Sequence, residues 1–249
     1  MRIAVNTRLL LPDKLDGIGW FSYETLKRIT TQHPEHEFFF IFDRKPSEEF
    51  IFSNNVTPVI AYPQARHVVL WYLFFEFGVP AVLRKIKPDL FFSPDGWLSL
   101  RTNVKSVDVI HDLNFENHPE FVPWHIRRYY QHYFPRFAAK AKRIATVSEF
   151  TKKDLAEKYK VPPDKIDVVY NGANEDYVPV DKDTIQKTRK LYTDGKPYFV
   201  FVGTIHPRKN LANQLKAFDR FREQTTSDVK MLVVGDKKWW TEDIRSAHE

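Results

Sequence analysis

Residues 198–221 read YFVFVGTIHPRKNLANQLKAFDRF, and their pattern decides the class of fold. Tyr198 to Val202 form a short apolar run that reads as a buried parallel strand. Gly203 ends the run. A polar turn from Thr204 to Asn210 follows, with Arg208 beside Lys209. Leu211, Leu215 and Phe218 then recur at i, i+4 and i+7, the spacing of one helix face. Strand, glycine turn and helix start, in that order, is how α/β sheets hold phosphate. Backbone N–H groups and the positive helix end point at the anion. Two readings of Arg208 and Lys209 stay open, a solvated helix start and a phosphate site. Cations are unfavourable at a helix N-terminus, so their placement asks for an anion. Two fixed cations suit a diphosphate better than a carboxylate.

The same alternation runs through the chain. Residues 2–5, 38–42, 56–61, 88–93, 105–110, 143–147, 166–170 and 229–234 read as strands. An amphipathic helix is expected over 18–30, with Phe21, Leu26 and Ile29 inward. A second, over 123–142, carries Tyr130, Phe134, Phe137 and Ala141 on one face. Its Arg127, Arg128, Arg136 and Lys140 are a solvated flank or a contact for an anionic lipid or polyanionic acceptor. Residues 66–87 form an aromatic helical region, broken near Gly78 and Pro80 and ending in Arg84, Lys85 and Lys87. A core helix is favoured there over a membrane-surface patch, because aromatics at helical spacing are usually core. Residues 175–195 are polar and read as a connector with one short helix. The organisation expected is a first α/β domain over 1–175, a linker over 176–196 and the beginning of a second, incomplete domain over 197–249.

Composition narrows the class further. Hydrophobic residues at 43% and aromatics at 15% are enough for a real core in a 249-residue chain. There is no cysteine, which excludes disulfides, thiolate metal sites and a cysteine nucleophile. The longest apolar run, 68–75, is too short to span a bilayer, and no signal-peptide core precedes the first strand. A net charge of +6 favours anionic partners without choosing among them.

Several loops carry candidate chemistry. Asp16-Gly17-Ile18-Gly19 precedes the first helix. Ser22 stands where a dinucleotide fingerprint needs its third glycine, and the loop is too long for that turn. A glycine turn that lets substrate approach the backbone is better supported than a nicotinamide site. His111-Asp112 follows the strand 105–110, where the carboxyl ends of strands in open α/β sheets place chemistry. The pair reads as base and orienter, as a ligand of a substrate hydroxyl, or as structural. Adding Glu116 and His118 produces no defensible metal-ligand spacing. Ser148 caps the next helix and is also able to hold a phosphate or a sugar hydroxyl. Asn171-Gly172 marks a turn. Asp181 and Asp183 form a D-x-D in a charged linker, better explained by chance than by metal.

Taken in order, Asp16-Gly17-Ile18-Gly19, PDLFFSPDG, VIHDLNFENHPEF, RIATVSEFTKKDL, IDVVYNGAN and VFVGTIHPRKNL resemble retaining nucleotide-sugar glycosyltransferases of the GT-B type, family four, also called glycosyl transferase group 1. The resemblance covers nearly the whole length and looks mannosyltransferase-like, of the kind that assembles surface polysaccharide or glycolipid. It implies two Rossmann-like domains and transfer of a sugar, with retention, from a nucleoside diphosphate sugar to a saccharide or lipid-linked acceptor. GDP-mannose is the candidate donor. Arg208 and Lys209 match the pair that neutralises the donor diphosphate, next to Gly203. Gly17 and Gly19 match the glycine loop approaching donor phosphate and acceptor. His111 matches the residue beside the transferred sugar, with Asp112 orienting it, and Ser148 and Asn171 match cleft-lining positions. No metal or other cofactor and no nucleic acid are implied. The location implied is cytoplasmic, peripheral at the inner face of the membrane.

The family's E-x7-E glutamates, late in the second domain, have no counterpart before residue 249. The chain alone is therefore expected to be inactive or weak. The competing reading is a non-catalytic acceptor- or membrane-surface-binding domain.

Overall fold

The computed structural model describes residues 1–173, 177–236 and 241–248. They divide into two compact units, Met1–Gly172 and Ala173–Glu249. The first unit holds a seven-stranded, all-parallel sheet: β1 Arg2–Asn6, β2 Glu37–Phe42, β3 Val56–Ile60, β4 Leu90–Ser93, β5 Ser106–Val109, β6 Arg143–Thr146 and β7 Ile166–Val168. Their order is β3-β2-β1-β4-β5-β6-β7. The chain winds outward from β1 through β2 and β3. It then returns to the other side of β1 with β4. The crevice outside the carboxyl ends of β1 and β4 is thus the topological switch point of the sheet.

Helices cover both faces of this sheet: α1 Gly17–Gln32, α2 Val68–Leu73, α3 Val79–Ile86, α4 Asn114–Asn117, α5 Trp124–Lys140 and α6 Glu149–Tyr159. Strand alternation sorts the core between them. Phe38, Phe40 and Phe42 pack with Leu26 of α1, whereas Ile41 joins Phe74, Phe75, Phe91 and Phe137 on the other face. Burying such side chains from water is worth about 2–3 kcal/mol each. The aromatic region expected to break near Gly78 runs on instead. A π-helical turn, Phe74–Gly78, joins α2 to α3 without a gap. Pro80, which has no N–H to bond the preceding turn, follows directly on the π turn, where the regular helical ladder is already interrupted. Trp71, Phe74 and Phe75 belong to the core, while Phe77 is exposed.

The second unit carries α7 Lys182–Thr193, β8 Tyr198–Val202, α8 Leu211–Gln224, β9 Lys230–Val234 and α9 Glu242–His248. β8 and β9 pair in parallel, with Phe201 opposite Val233 and Val202 opposite Val234. Part of the expected connector is ordered within this unit, since α7 packs beside β9 and the buried Thr193 hydroxyl bonds the Lys196 carbonyl at 2.7 Å. Asp181 is the N-cap of α7, accepting from Thr184 N at 2.7 Å, which explains one half of the D-x-D locally.

Strand β8 is not buried as expected. Phe201, Met231 and Val233 pack on Leu211, Leu215 and Ile244 of the helices, but the opposite face is open and Val202 is 71% exposed. A parallel strand is buried only when helices cover both its faces, and among the described residues only one face is covered. Trp239 and Trp240, read as following this last strand, lie outside the described residues.

Candidate functional site

The carboxyl edge at the β1/β4 switch point is built from three loops. The first runs from β1 to α1. Asp16 caps α1 by accepting from Gly19 N at 2.9 Å. Gly19 is buried, and a Cβ there would meet Leu15 Cδ2 at 3.1 Å and the Leu9 carbonyl at 3.3 Å, so the loop folds close over the helix start. Gly17 is exposed with nothing near its missing Cβ, which leaves backbone open to an approaching group.

The second loop follows β4 and turns at Pro94-Asp95-Gly96. Gly96 has φ +84°, and a Cβ would lie 3.1 Å from the Phe134 ring. Both conditions favour glycine. The third loop follows β5 and carries His111. Its Nε2 lies 2.8 Å from the Pro94 carbonyl oxygen, and the Phe21 ring of α1 meets it edge-on at 4.8 Å. The hydrogen bond that holds the imidazole is therefore made to Pro94 and not to Asp112. The exposed Asp112 carboxylate instead accepts from Asn114 N at 3.0 Å and starts α4.

Ser148 caps α6, its Oγ accepting from Thr151 N at 3.1 Å. That hydroxyl lies 3.0 Å from Thr151 Oγ1, which donates to the His111 carbonyl at 3.0 Å. The structure thus joins the start of α1, His111 and Ser148 at one edge. Asn171 stands exposed beyond β7 and shares none of these bonds. Among the described residues the group of His and carboxylate ligand atoms within 4.8 Å is His33, Glu35 and His36, at the far end of α1. His111, Asp112, Glu116 and His118 form no such group.

Beneath the edge lies a polar cluster that sequence reading missed. Asn6 Nδ2 donates to Asp95 Oδ1 at 2.7 Å and to Ser93 Oγ at 3.0 Å, and Arg8 Nε donates to Asp95 Oδ2 at 2.8 Å. Asp108 of β5 is fully buried, with neither carboxylate oxygen bonded among the described residues. Burial, and then the nearby Asp95 charge, push its pKa well above the ordinary carboxylate range. The signal was present as charged residues closing apolar strands, but only the fold brings Arg8 to Asp95.

In the second unit, β8 leads through the half-buried Gly203 to a 3-10 turn, Pro207–Lys209, and then to α8. Gly203 has φ +146°, and its carbonyl occupies the space where a Cβ on Gly235 would sit, 1.9 Å away. Arg208 and Lys209 are exposed, and neither pairs with a carboxylate among the described residues. Asn210 precedes α8 with φ +54° and makes no side-chain cap, so the first N–H groups of α8 have no side-chain acceptor.

The profile of Glycosyltransferase Family 4 matches residues 15–177, more than half of the chain, and that of Glycosyl transferases group 1 matches 182–248. The chain belongs to glycosyltransferase family 4. O-antigen chain mannosyltransferase B of Escherichia coli is 23% identical over 236 residues, covering 90% of this chain and 62% of that protein. The chain thus spans less than two thirds of that relative's length. Among solved structures, WaaG, a glycosyltransferase involved in lipopolysaccharide biosynthesis, superposes with a TM-score of 0.68 at 11% identity, over 99% of this chain and 67% of that one. Anabaena HepE in complex with UDP-glucose superposes with a TM-score of 0.64 at 15% identity, over 100% and 64%. The α/β architecture is of the GT-B type, as the family 4 resemblance implied. No helix among the described residues is long and apolar enough to cross a membrane.

Proposed function

We propose that the protein takes part in transferring a sugar from a nucleoside diphosphate sugar, with GDP-mannose the favoured donor, to a saccharide or lipid-linked acceptor with retention of configuration. One observation carries this reading. Arg208 and Lys209 stand exposed, without an acidic partner among the described residues, one turn ahead of a helix whose first N–H groups lack a side-chain cap. Charge without a partner, beside free donors and a positive helix end, suits a pyrophosphate. The same cations would stabilise the departing nucleotide, the task a divalent ion performs elsewhere. The mannosyltransferase name of a relative supports the donor sugar, and UDP-glucose in a structural neighbour supports the donor class.

In the first unit, His111 is the candidate beside the transferred sugar, at the edge shared with Gly17, Gly19 and Ser148. Trp124 and Phe150 are exposed at the starts of α5 and α6, and the basic Arg127 and Arg128 follow Trp124 on α5. They are the candidate surface for the acceptor or for peripheral membrane contact.

The test is calorimetric titration with GDP-mannose. Arg208→Ala is expected to weaken binding by about tenfold or more, since a charge-assisted bond contributes on the order of 1.5–3 kcal/mol. Unchanged affinity would sink the donor reading and favour a non-catalytic acceptor-binding domain. The 249-residue chain by itself is expected to bind donor and turn it over weakly. Where turnover is measured, the anomeric signal of the product by NMR decides retention.

A further inference from the structure

We infer that Arg8 and Asp95 are positioning residues for His111, acting through the Pro94 carbonyl that lies between the buried pair and the imidazole. This rests on the reading of His111 as the residue beside the transferred sugar.

The pair is built into the core. The Arg8 and Asp95 side chains are 9% and 2% exposed, and Nε meets Oδ2 at 2.8 Å. Asn6 Nδ2 holds the other oxygen at 2.7 Å, and Ser93 Oγ lies 3.1 Å from it. The Arg8 guanidinium lies 4.6 Å from the Trp97 ring centre and 5.5 Å from that of Phe75. A buried ion pair is weak evidence for net stability, because desolvation offsets the attraction. What it does supply is a fixed direction for whatever is bonded to it.

Here that object is one peptide plane. The Pro94 carbonyl and the Asp95 amide belong to the same planar unit. Asp95 is clamped through its side chain on one side of the plane. Pro94 has its φ held by its ring on the other. The carbonyl therefore has little freedom, and it meets His111 Nε2 at 2.8 Å. A carbonyl accepts only, so Nε2 carries the proton, and in the neutral imidazole Nδ1 keeps a lone pair. The edge of Phe21, at 89° to the ring, opposes rotation away from this pose. Arg8 and Asp95 thus decide which nitrogen His111 offers to a sugar hydroxyl, without touching the sugar.

The experiment uses the whole chain with 15N-labelled histidine, the His111 signals being assigned by their loss in His111→Gln. In the unsubstituted protein a protected Nε2–H is expected, with Nδ1 the unprotonated nitrogen of the neutral ring. In Asp95→Asn and in Arg8→Lys, solvent exchange of Nε2–H is expected to quicken about tenfold, the loss of one ordered hydrogen bond, while sheet amides keep their protection. Arg8→Lys retains the charge and carries the test if Asp95→Asn does not fold. Unaltered His111 signals in either folded variant would overturn the inference. Loss of fold in both would overturn it too, making the pair mere framework. Titrating GDP-mannose separates the two claims. Altered His111 exchange in the variants, with no response of His111 to GDP-mannose in any form, would uphold the positioning chain and defeat the sugar reading.

Discussion

Replacing Asp108 by asparagine isolates a buried carboxyl group whose cost depends on pH. Asp108 sits in β5, opposite Ser93 on one side and Ile144 on the other, fully buried and with both oxygens unbonded among the described residues. Burial raises its folded pKa well above the ordinary value and the Asp95 charge adds to this; the nearby Val109 backbone N–H, which makes no hydrogen bond of good geometry to either oxygen, opposes it. In the unfolded chain the group ionises at about 3.9. Between these two values the folded protein binds one proton more than the unfolded one. The stability this group contributes is complete below the unfolded value and falls as pH rises towards the folded one. The slope is about 1.4 kcal/mol per pH unit. The side chain introduced by Asp108→Asn has the shape of the protonated acid and no such slope. Urea unfolding at a series of pH values from about 4 upward, followed by tryptophan fluorescence, should therefore show the variant gaining on the parent as pH rises, by up to about 1.4 kcal/mol per pH unit. Glu76, also raised by burial, is present in both proteins and cancels. The asparagine amide adds a constant offset and leaves the slope alone. A difference that does not change with pH would refute the reasoning, because Asp108 would then be ionised and compensated in the folded state.

Three further outcomes follow from local geometry. Ser148→Ala removes the cap of α6 and the bond reaching Thr151, and should cost about 1 kcal/mol in urea unfolding; no loss would show that the cap is redundant. Gly96→Ala places a Cβ at φ +84° and 3.1 Å from Phe134, and should cost more than about 1 kcal/mol, with a visible shift in the Phe134 ring resonances. Phe40→Ala empties a fully buried site between β2 and α1 and should cost about 3–5 kcal/mol in chemical denaturation.

The positions of the strands along the chain were legible because a parallel sheet covered on both sides writes itself as short apolar runs, whereas their order in the sheet came only from the structure. The helix over α1 was legible too, from Leu26 and its neighbours at helical spacing. What periodicity could not report was coverage. Val200 and Val202 look like core from their chemistry, and only the absence of a second helical layer on β8 among the described residues makes them surface. The π turn at Phe74–Gly78 was invisible because a glycine and a proline close together read as a stop. At the site, Ser148 as a cap and His111 at a strand end were legible from local order. The partner of His111 was not. Pro94 lies 17 residues away, and Arg8 meets Asp95 across 87 residues, distances at which no local pattern survives.

The uncovered face of β8 and β9 has a consequence for the order in which the chain comes apart. Amide protons exchange with solvent through the cheapest opening available to them. In the seven-stranded unit that opening must expose phenylalanines on both sides of the sheet at once. In the two-stranded unit one side is already wet, so the ladder from Tyr198 to Val202 loses little when it parts. Deuterium should therefore enter β8 and β9 while β1, β4 and β5 are still protected.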